Sequence, residues 1–167
     1  MPHEYRRVGG WPVTPRMQMW AAVVAALPVA AVVIAHGTVP WLIGTILAVL
    51  AVWPHEHLHA IGARVFGVNA RVHWKGLNPD TRLFGQIGMA GVAVTSLAPQ
   101  VMTAWFLALA AVFGSEAFAL AALLHALIST GDYLNAAYAI VSLIRPRTRG
   151  QVLLDGAGEE SGIYRAA

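Results

Sequence analysis

The chain contains no cysteine and little charge. Without cysteine it has neither disulfide bonds nor a thiolate metal site, so any metal ion must be bound by histidine, carboxylate or water. Only 11% of the 167 residues are charged and 57% are hydrophobic. A soluble domain usually carries about 25% charged residues. This shortage of charge argues against a soluble globular protein and predicts a chain that lies mostly in lipid.

Four apolar runs are long enough to cross a bilayer, which takes about 20 residues per helix. They cover residues 17–35, 39–62, 91–113 and 117–144. We expect the first run to be a retained helix rather than a cleaved signal peptide, because its apolar stretch exceeds about 15 residues. The sequence therefore predicts an all-α membrane protein with four transmembrane helices.

Two further segments are more polar than these runs. Residues 68–89 contain two β-prone stretches around an Asn-Pro-Asp turn signal at 78–80, which predicts a short β-hairpin between helices two and three. The end of the chain is polar and glycine-rich, so we expect residues 145–167 to form a flexible cytoplasmic tail. Residues 1–144 would then form a single integral membrane domain.

The basic residues are distributed unevenly along the chain. Of the eleven, three precede the first predicted helix, four lie at or after the end of the second, and four follow the fourth. The two connections on the opposite side carry none. By the positive-inside rule, both termini and the hairpin face the cytoplasm. The net charge of +3 is thus explained by topology and attraction to anionic lipid, and nucleic acid is not an expected partner.

Residues 55–59, near the end of the second helix, match the pattern H-E-x-x-H. On a helix, His55 and His59 project from the same face one turn apart, so both can bind one metal ion. Glu56 lies about 100° around the helix from His55, where it can act on a water molecule without being a ligand. His57 lies on the opposite side from both histidines, so we do not expect it to be a ligand.

A catalytic metal site needs a third protein ligand, and the fourth helix supplies two candidates, His125 and Asp132. At about 1.5 Å per residue, Asp132 matches the depth of the two histidines, whereas His125 lies about 10 Å nearer the outer face. We therefore predict Asp132 as the third ligand, although it could instead cap a helix after a break at Gly131. His125 would line a water path or form an interhelical hydrogen bond. Asn135 would donate a hydrogen bond to Asp132.

The stretch HEHLHAIGARVFGV, residues 55–68, resembles the zinc motif of site-2-protease-like intramembrane metalloproteases. It is most similar to the small four-helix zincin peptidases of bacteria and archaea. In these families a membrane-associated hairpin follows the motif helix, and a later helix supplies an aspartate ligand. Here the hairpin and Asp132 stand in those places. The Leu-Asp-Gly element of site-2 proteases departs from this pattern, because it occurs only in the polar tail, at residues 154–156.

The resemblance implies a zinc-dependent endopeptidase in a prokaryotic cell membrane. Such an enzyme hydrolyses a peptide bond of a membrane-embedded protein or peptide near the cytoplasmic face. His55, His59 and Asp132 would hold Zn²⁺, and Glu56 would be the general base. A second copy of the chain or a regulatory protein is a further candidate partner. Three alternatives remain open: a non-catalytic metal-binding scaffold, a metal-ion transporter, and iron(II) in place of zinc, because two histidines and a carboxylate suit both ions.

Overall fold

The computed structural model describes residues 5–9, 39–75, 78–148, 150–155 and 162–166, together with four separate positions in the predicted first helix. These four are Met17, Trp20, Val23 and Leu27, which are helical and exposed. The rest of that helix, predicted at 17–35, lies outside the described residues.

The described elements are five strands and five helices. In chain order they are β1 (Tyr5–Gly9), α1 (Val39–Val65), β2 (Asn69–Lys75), β3 (Asn78–Gly88), α2 (Met89–Leu97), α3 (Gln100–Phe113), α4 (Glu116–Ile128), α5 (Thr130–Ile144), β4 (Gln151–Asp155) and β5 (Gly162–Ala166).

Helix α1 is buried along a stripe of small residues and exposed along its large ones. The buried positions are Gly44, Ala48, Ala51, His55, Ala60, Gly62 and Ala63. By contrast, the side chains of Leu42, Val49 and Leu50 are 65%, 64% and 65% exposed. Small residues at helix contacts with large apolar residues outside are typical of membrane helices, which gain no hydrophobic energy by hiding leucine from lipid.

Two glycines of α1 allow neighbouring helices to approach closely. A Cβ on Gly44 would lie 2.7 Å from the carbonyl oxygen of Ala117 in α4. A Cβ on Gly62 would lie 3.0 Å from the Cα of Thr95 in α2. Helix α1 is therefore in close contact with α4 in its first half and with α2 at its carboxyl end, where the metal-binding motif lies.

Two helical segments among the described residues are long and apolar enough to span a membrane, which is compatible with a membrane protein. One is α1, with 27 residues. The other is formed by α2 and α3, which span Met89–Phe113 across the short break at Ala98 and Pro99. The pair α4 and α5 makes a third span if both are counted together. The prediction of four transmembrane helices is thus not confirmed by the described residues.

The predicted single helix at 117–144 is instead two helices. Helices α4 and α5 are bent by 55° at a break around Ser129. The Ser129 hydroxyl donates a hydrogen bond to the carbonyl oxygen of His125, and the Ser129 carbonyl accepts from the backbone N–H of Asp132. The break therefore places Asp132 in the first turn of a new helix. The capping residue is Ser129 and not Asp132, and the break lies two positions before Gly131, where it was considered from the sequence.

The strands form one antiparallel sheet in the order β1-β5-β4-β3-β2. Strands β2 and β3 are the hairpin predicted at 68–89, and Lys75 pairs with Asn78. The turn was expected at 78–80, but these residues begin β3, which leaves only residues 76 and 77 between the strands. A two-residue connection is the commonest length in hairpins.

Part of the segment predicted as a flexible tail, residues 145–167, forms the strands β4 and β5. Strand β4 pairs with β3, and β5 pairs with both β4 and β1. Leu153 and Ile163 are 2% and 3% exposed and belong to the core between the sheet and the helices. The low apolar content of this segment concealed two short strands, each needing only a few buried side chains and a neighbouring strand for its backbone hydrogen bonds.

Candidate metal centre

Three predicted ligands lie together where α1 meets the start of α5. His55 Nε2 lies 3.2 Å from Asp132 Oδ2, and His59 Nε2 lies 3.2 Å from Asp132 Oδ1. The two Nε2 atoms are 3.2 Å apart. One ligand atom from each side chain lies within 4.8 Å of the others, so the group can hold a metal ion. The periodicity of α1 and the bend before α5 together create this arrangement.

The spacing of the two histidine nitrogens is compatible with their binding a single metal ion. Two ligand atoms that are each about 2.0–2.1 Å from zinc at a tetrahedral angle lie about 3.3 Å from each other. The two histidine Nε2 atoms are 3.2 Å apart, and each of them lies 3.2 Å from a different oxygen of the Asp132 carboxylate. Two imidazoles and one carboxylate are also a recurring ligand set of catalytic zinc sites, with a fourth position left for water or substrate.

A hydrogen bond to the backbone determines which nitrogen of His59 faces Asp132. The Nδ1–H of His59 donates to the carbonyl oxygen of Thr95 at 2.7 Å. Since a carbonyl only accepts, we assign the proton of the neutral ring to Nδ1, which leaves Nε2 with a free lone pair. That lone pair faces the carboxylate oxygen of Asp132, which is also an acceptor. A cation between the two atoms would satisfy both.

His125 lies closer to the ligands than its depth in a straight helix predicts. Its Nε2 is 3.1 Å from His55 Nδ1, and its Nδ1 is 2.7 Å from Thr103 Oγ1. The side chain is almost completely buried, at 1% exposure. Of the two roles predicted for His125, the interhelical hydrogen bond is the one present in the structure. His125 contacts His55 on the side away from Asp132 and is not part of the candidate ligand group.

Glu56 lies beside the ligands and is held by the hairpin. The hydroxyl of Thr81 in β3 lies 2.7 Å from Glu56 Oε2 and 2.8 Å from the Glu56 backbone oxygen. No hydrogen bond to a described residue involves the other carboxylate oxygen, Oε1. The hydroxyl has a single proton and donates it to one of these two acceptors at a time, so the contact holds Glu56 against β3 while leaving Oε1 able to accept a proton.

A cavity of about 300 Å³ lies between the helices and the sheet. Glu56, His59 and Asp132 all line it, whereas His55 does not. The other lining residues are Pro79, Asp80, Thr81, Leu83, Val92, Thr95, Ser96, Asn135 and Leu153. The cavity thus has a polar wall at the ligands and reaches the tail strand β4, which the sequence places far from the site.

Two other predicted positions have different outcomes. His57 is directed away from the ligands: its Nδ1 lies 3.0 Å from the Trp53 carbonyl oxygen, and its ring lies 4.1 Å from that of Trp53. Asn135 lines the cavity, but its Oδ1 is buried without a hydrogen-bond partner among the described residues. The expected hydrogen bond from Asn135 to Asp132 is absent from the described contacts.

Sequence reasoning missed four residues that contact the site or its neighbours: Thr81, Thr95, Gln100 and Thr103. A signal exists for two of them. Ser96, Gln100 and Thr103 follow each other at spacings of four and three residues within an apolar run, which would place them on one face of a continuous helix. The contribution of Thr95 is its backbone carbonyl, and Thr81 approaches Glu56 only through the fold of the hairpin.

Neither a protein-family model, nor a curated protein, nor a solved structure matches this chain. The function must therefore be argued from the geometry of the site.

Proposed function

We propose that this protein is an intramembrane zinc-dependent endopeptidase that cleaves a membrane-embedded protein or peptide near the cytoplasmic face. One observation carries the proposal. A carboxylate outside the ligand group, Glu56, lines the same cavity as two of the candidate ligands, His59 and Asp132. A site that only holds a metal ion for structure has no need of an acceptor beside it.

The donor set fits zinc. His55 and His59 would each supply Nε2 and Asp132 a carboxylate oxygen. When bound, zinc supplies Lewis-acid polarisation of a carbonyl group and of a water molecule. Glu56 would accept a proton from a water molecule in the cavity at Oε1 and would deliver it to the nitrogen of the leaving amine. The Thr81 hydroxyl keeps Oε2 in place, so that the proton moves over a short and constant distance.

The sheet supports the proposed topology. Strand β1 near the amino terminus, the hairpin, and the tail strands β4 and β5 all pair within one sheet. The basic residues of the sequence lie mostly in these strands or next to them. Both termini and the hairpin then share one side, proposed to be the cytoplasmic side. The cavity lies against this sheet, so water and an extended substrate reach the site from the cytoplasm.

The test compares wild type with Glu56→Gln, both purified as the full chain in detergent. We expect both proteins to bind about one zinc ion per chain. Cleavage of a panel of tagged transmembrane peptides should fall by about 10²- to 10⁴-fold in the variant, the usual contribution of a general base. Metal content by mass spectrometry and cleavage rates from gel analysis are the two measurements.

Glu116→Gln is the matched control, because Glu116 is an exposed residue at the start of α4 and away from the cavity. It should cleave like wild type. Equal cleavage by Glu56→Gln and wild type would contradict the general-base role. Zinc binding by wild type without cleavage of any peptide would favour the scaffold, and zinc transport into proteoliposomes would favour the transporter.

A further inference from the structure

A chain of polar side chains, buried at the histidines and half-buried beyond them, leads from His55 away from the cavity to helix α3. His55 Nδ1 lies 3.1 Å from His125 Nε2, and His125 Nδ1 lies 2.7 Å from Thr103 Oγ1. The Thr103 hydroxyl lies 3.0 Å from Gln100 Oε1, which also accepts a hydrogen bond from the hydroxyl of Tyr133. We call His125, Thr103 and Gln100 the relay. Its members come from two helices, and none of them lines the cavity.

Counting protons along the relay gives it a direction. We assign the Gln100 amide with Oε1 facing Thr103; this oxygen can only accept, so Thr103 uses its single proton to donate to it. Thr103 must then accept a hydrogen bond from His125, which places the proton of the neutral His125 ring on Nδ1. The Nε2 atom of His125 is consequently bare and accepts from His55 Nδ1–H. At each step the position of one proton determines the position of the proton on the next residue.

We propose that the relay consists of positioning residues that hold the proton of His55 on Nδ1 and so leave its Nε2 free to bind a metal ion. With the relay reversed, the proton would lie on Nε2, between His55 and Asp132, where a metal ligand needs a lone pair. The inference rests on the metal site of the proposed function, but not on peptide cleavage.

Because the two histidines are buried, losing a hydrogen-bond partner is costly for them. His55 is 6% exposed and His125 is 1% exposed, so water does not replace a lost partner at low cost. The Nε2 atom of Gln100 is also buried and has no hydrogen-bond partner among the described residues. The hydroxyls of Thr103 and Tyr133 both contact the Gln100 oxygen, Oε1, which is the atom that sets the direction of the relay in this assignment.

The experiment measures zinc affinity of the full-length protein in detergent by competition with a chromophoric chelator. Thr103→Val removes the hydroxyl with little change in shape and should weaken zinc binding by about 10- to 100-fold, the usual effect of losing an outer partner of a ligand. Thr103→Ser keeps the hydroxyl and should bind within a few-fold of wild type. Thr45→Val is the matched control, since Thr45 is an exposed residue of α1 whose hydroxyl donates only to the Trp41 carbonyl.

A second pair of variants tests the direction of the relay. Gln100→Glu keeps an oxygen acceptor and should retain zinc affinity, whereas Gln100→Met keeps the length but lacks that acceptor and should weaken binding. The visible absorption spectrum of the Co²⁺-loaded protein should change in Thr103→Val and Gln100→Met. It should not change in the paired variants Thr103→Ser and Gln100→Glu. Thermal unfolding of each metal-free variant shows whether it is folded.

Two results from the variants would overturn the inference: wild-type affinity in Thr103→Val, or an equal loss in Thr103→Val and Thr103→Ser. Failure of wild type to bind zinc would overturn it as well. If wild type binds zinc but cleaves no peptide, the proposed function fails while the affinity differences still decide the role of the relay.

Discussion

The two histidines of the motif lie one turn apart on α1 and are supported in different ways. Each directs Nε2 at Asp132 from 3.2 Å. His55 contacts another side chain through its Nδ1, at His125, whereas His59 donates to the backbone carbonyl of Thr95. His59 lines the cavity and His55 does not.

The proton on Nδ1 is thus held in a different way in each of the two candidate ligands. A backbone carbonyl is always an acceptor, so the proton of His59 is determined by the position of α2 rather than by any one side chain. The partner of His55 is itself a histidine, which can donate or accept, so its state depends on further residues. In the proposed metal site, His59 is therefore held by helix packing, and we infer that His55 is held by a chain of side chains.

The largest expected effect comes from the residue that the two histidines share. Asp132→Asn keeps the size of the side chain but removes the charge that faces both Nε2 atoms, and we expect it to lose stoichiometric zinc. Zinc at 100 times its Kd should stabilise wild type by about 2.7 kcal/mol and should not stabilise the variant. Thermal unfolding with and without zinc, and after treatment with a chelator, measures both effects.

Asn135→Ala is the control for Asp132→Asn, because Asn135 lies one turn further on α5 and makes no described hydrogen bond to Asp132. It should keep zinc binding. Full zinc occupancy in Asp132→Asn would exclude Asp132 as a ligand and would leave its contacts as simple ion pairs with protonated histidines.

A smaller effect should separate the two histidines by displacing α2. The Cβ of Gly62→Ala would meet the Cα of Thr95 at 3.0 Å, so α2 must move and carry the Thr95 carbonyl away from His59. We expect a loss of about 1–3 kcal/mol in stability, typical of overpacking, together with weaker zinc binding. Thermal unfolding and chelator competition measure the two quantities.

Gly44→Ala provides the comparison for Gly62→Ala. Its Cβ would meet the Ala117 carbonyl oxygen at 2.7 Å, on the part of α1 that precedes the motif. It should lower stability without weakening zinc binding by the folded protein. Equal zinc affinities in the two glycine variants would show that the support of His59 does not depend on the position of α2.

The smallest expected effect concerns Glu56 rather than either ligand. Thr81→Val removes the hydroxyl that holds Glu56 Oε2, and a hydrogen bond of this kind contributes about 1 kcal/mol. We expect kcat for peptide cleavage to fall by about fivefold with zinc content unchanged. Thr81→Ser, which keeps the hydroxyl, should restore most of the rate. A loss of zinc in Thr81→Val would mean that the hairpin supports the ligands as well as the base.

The parts of the site that could be predicted depend on local geometry. The spacing of His55 and His59 places them on one helix face, and helix rise selects Asp132 as a side chain at the same depth. The straight-helix assumption fails at Ser129, where a 55° bend changes how α4 meets α1, and His125 reaches His55.

Other features could not be read from residue type. The support of His59 is a backbone carbonyl, which every residue at position 95 would possess. The tail strands lie in a polar segment, and only their pairing with β3 and β1 shows why Leu153 is buried. Asn135 was predicted to donate a hydrogen bond to Asp132, but the described contacts contain none between them, and the Asn135 oxygen Oδ1 is buried without a partner among the described residues.

The sequence by itself determined the chemistry available to this protein. The absence of cysteine, the shortage of charge and the H-E-x-x-H spacing limit it to a membrane-compatible chain with a histidine and carboxylate site. The tertiary structure alone decided which atoms meet: Asp132 with both histidines, His125 behind one of them, and the tail strand at the cavity. These contacts join residues far apart in the chain, and they depend on helix bending and close packing rather than on local periodicity.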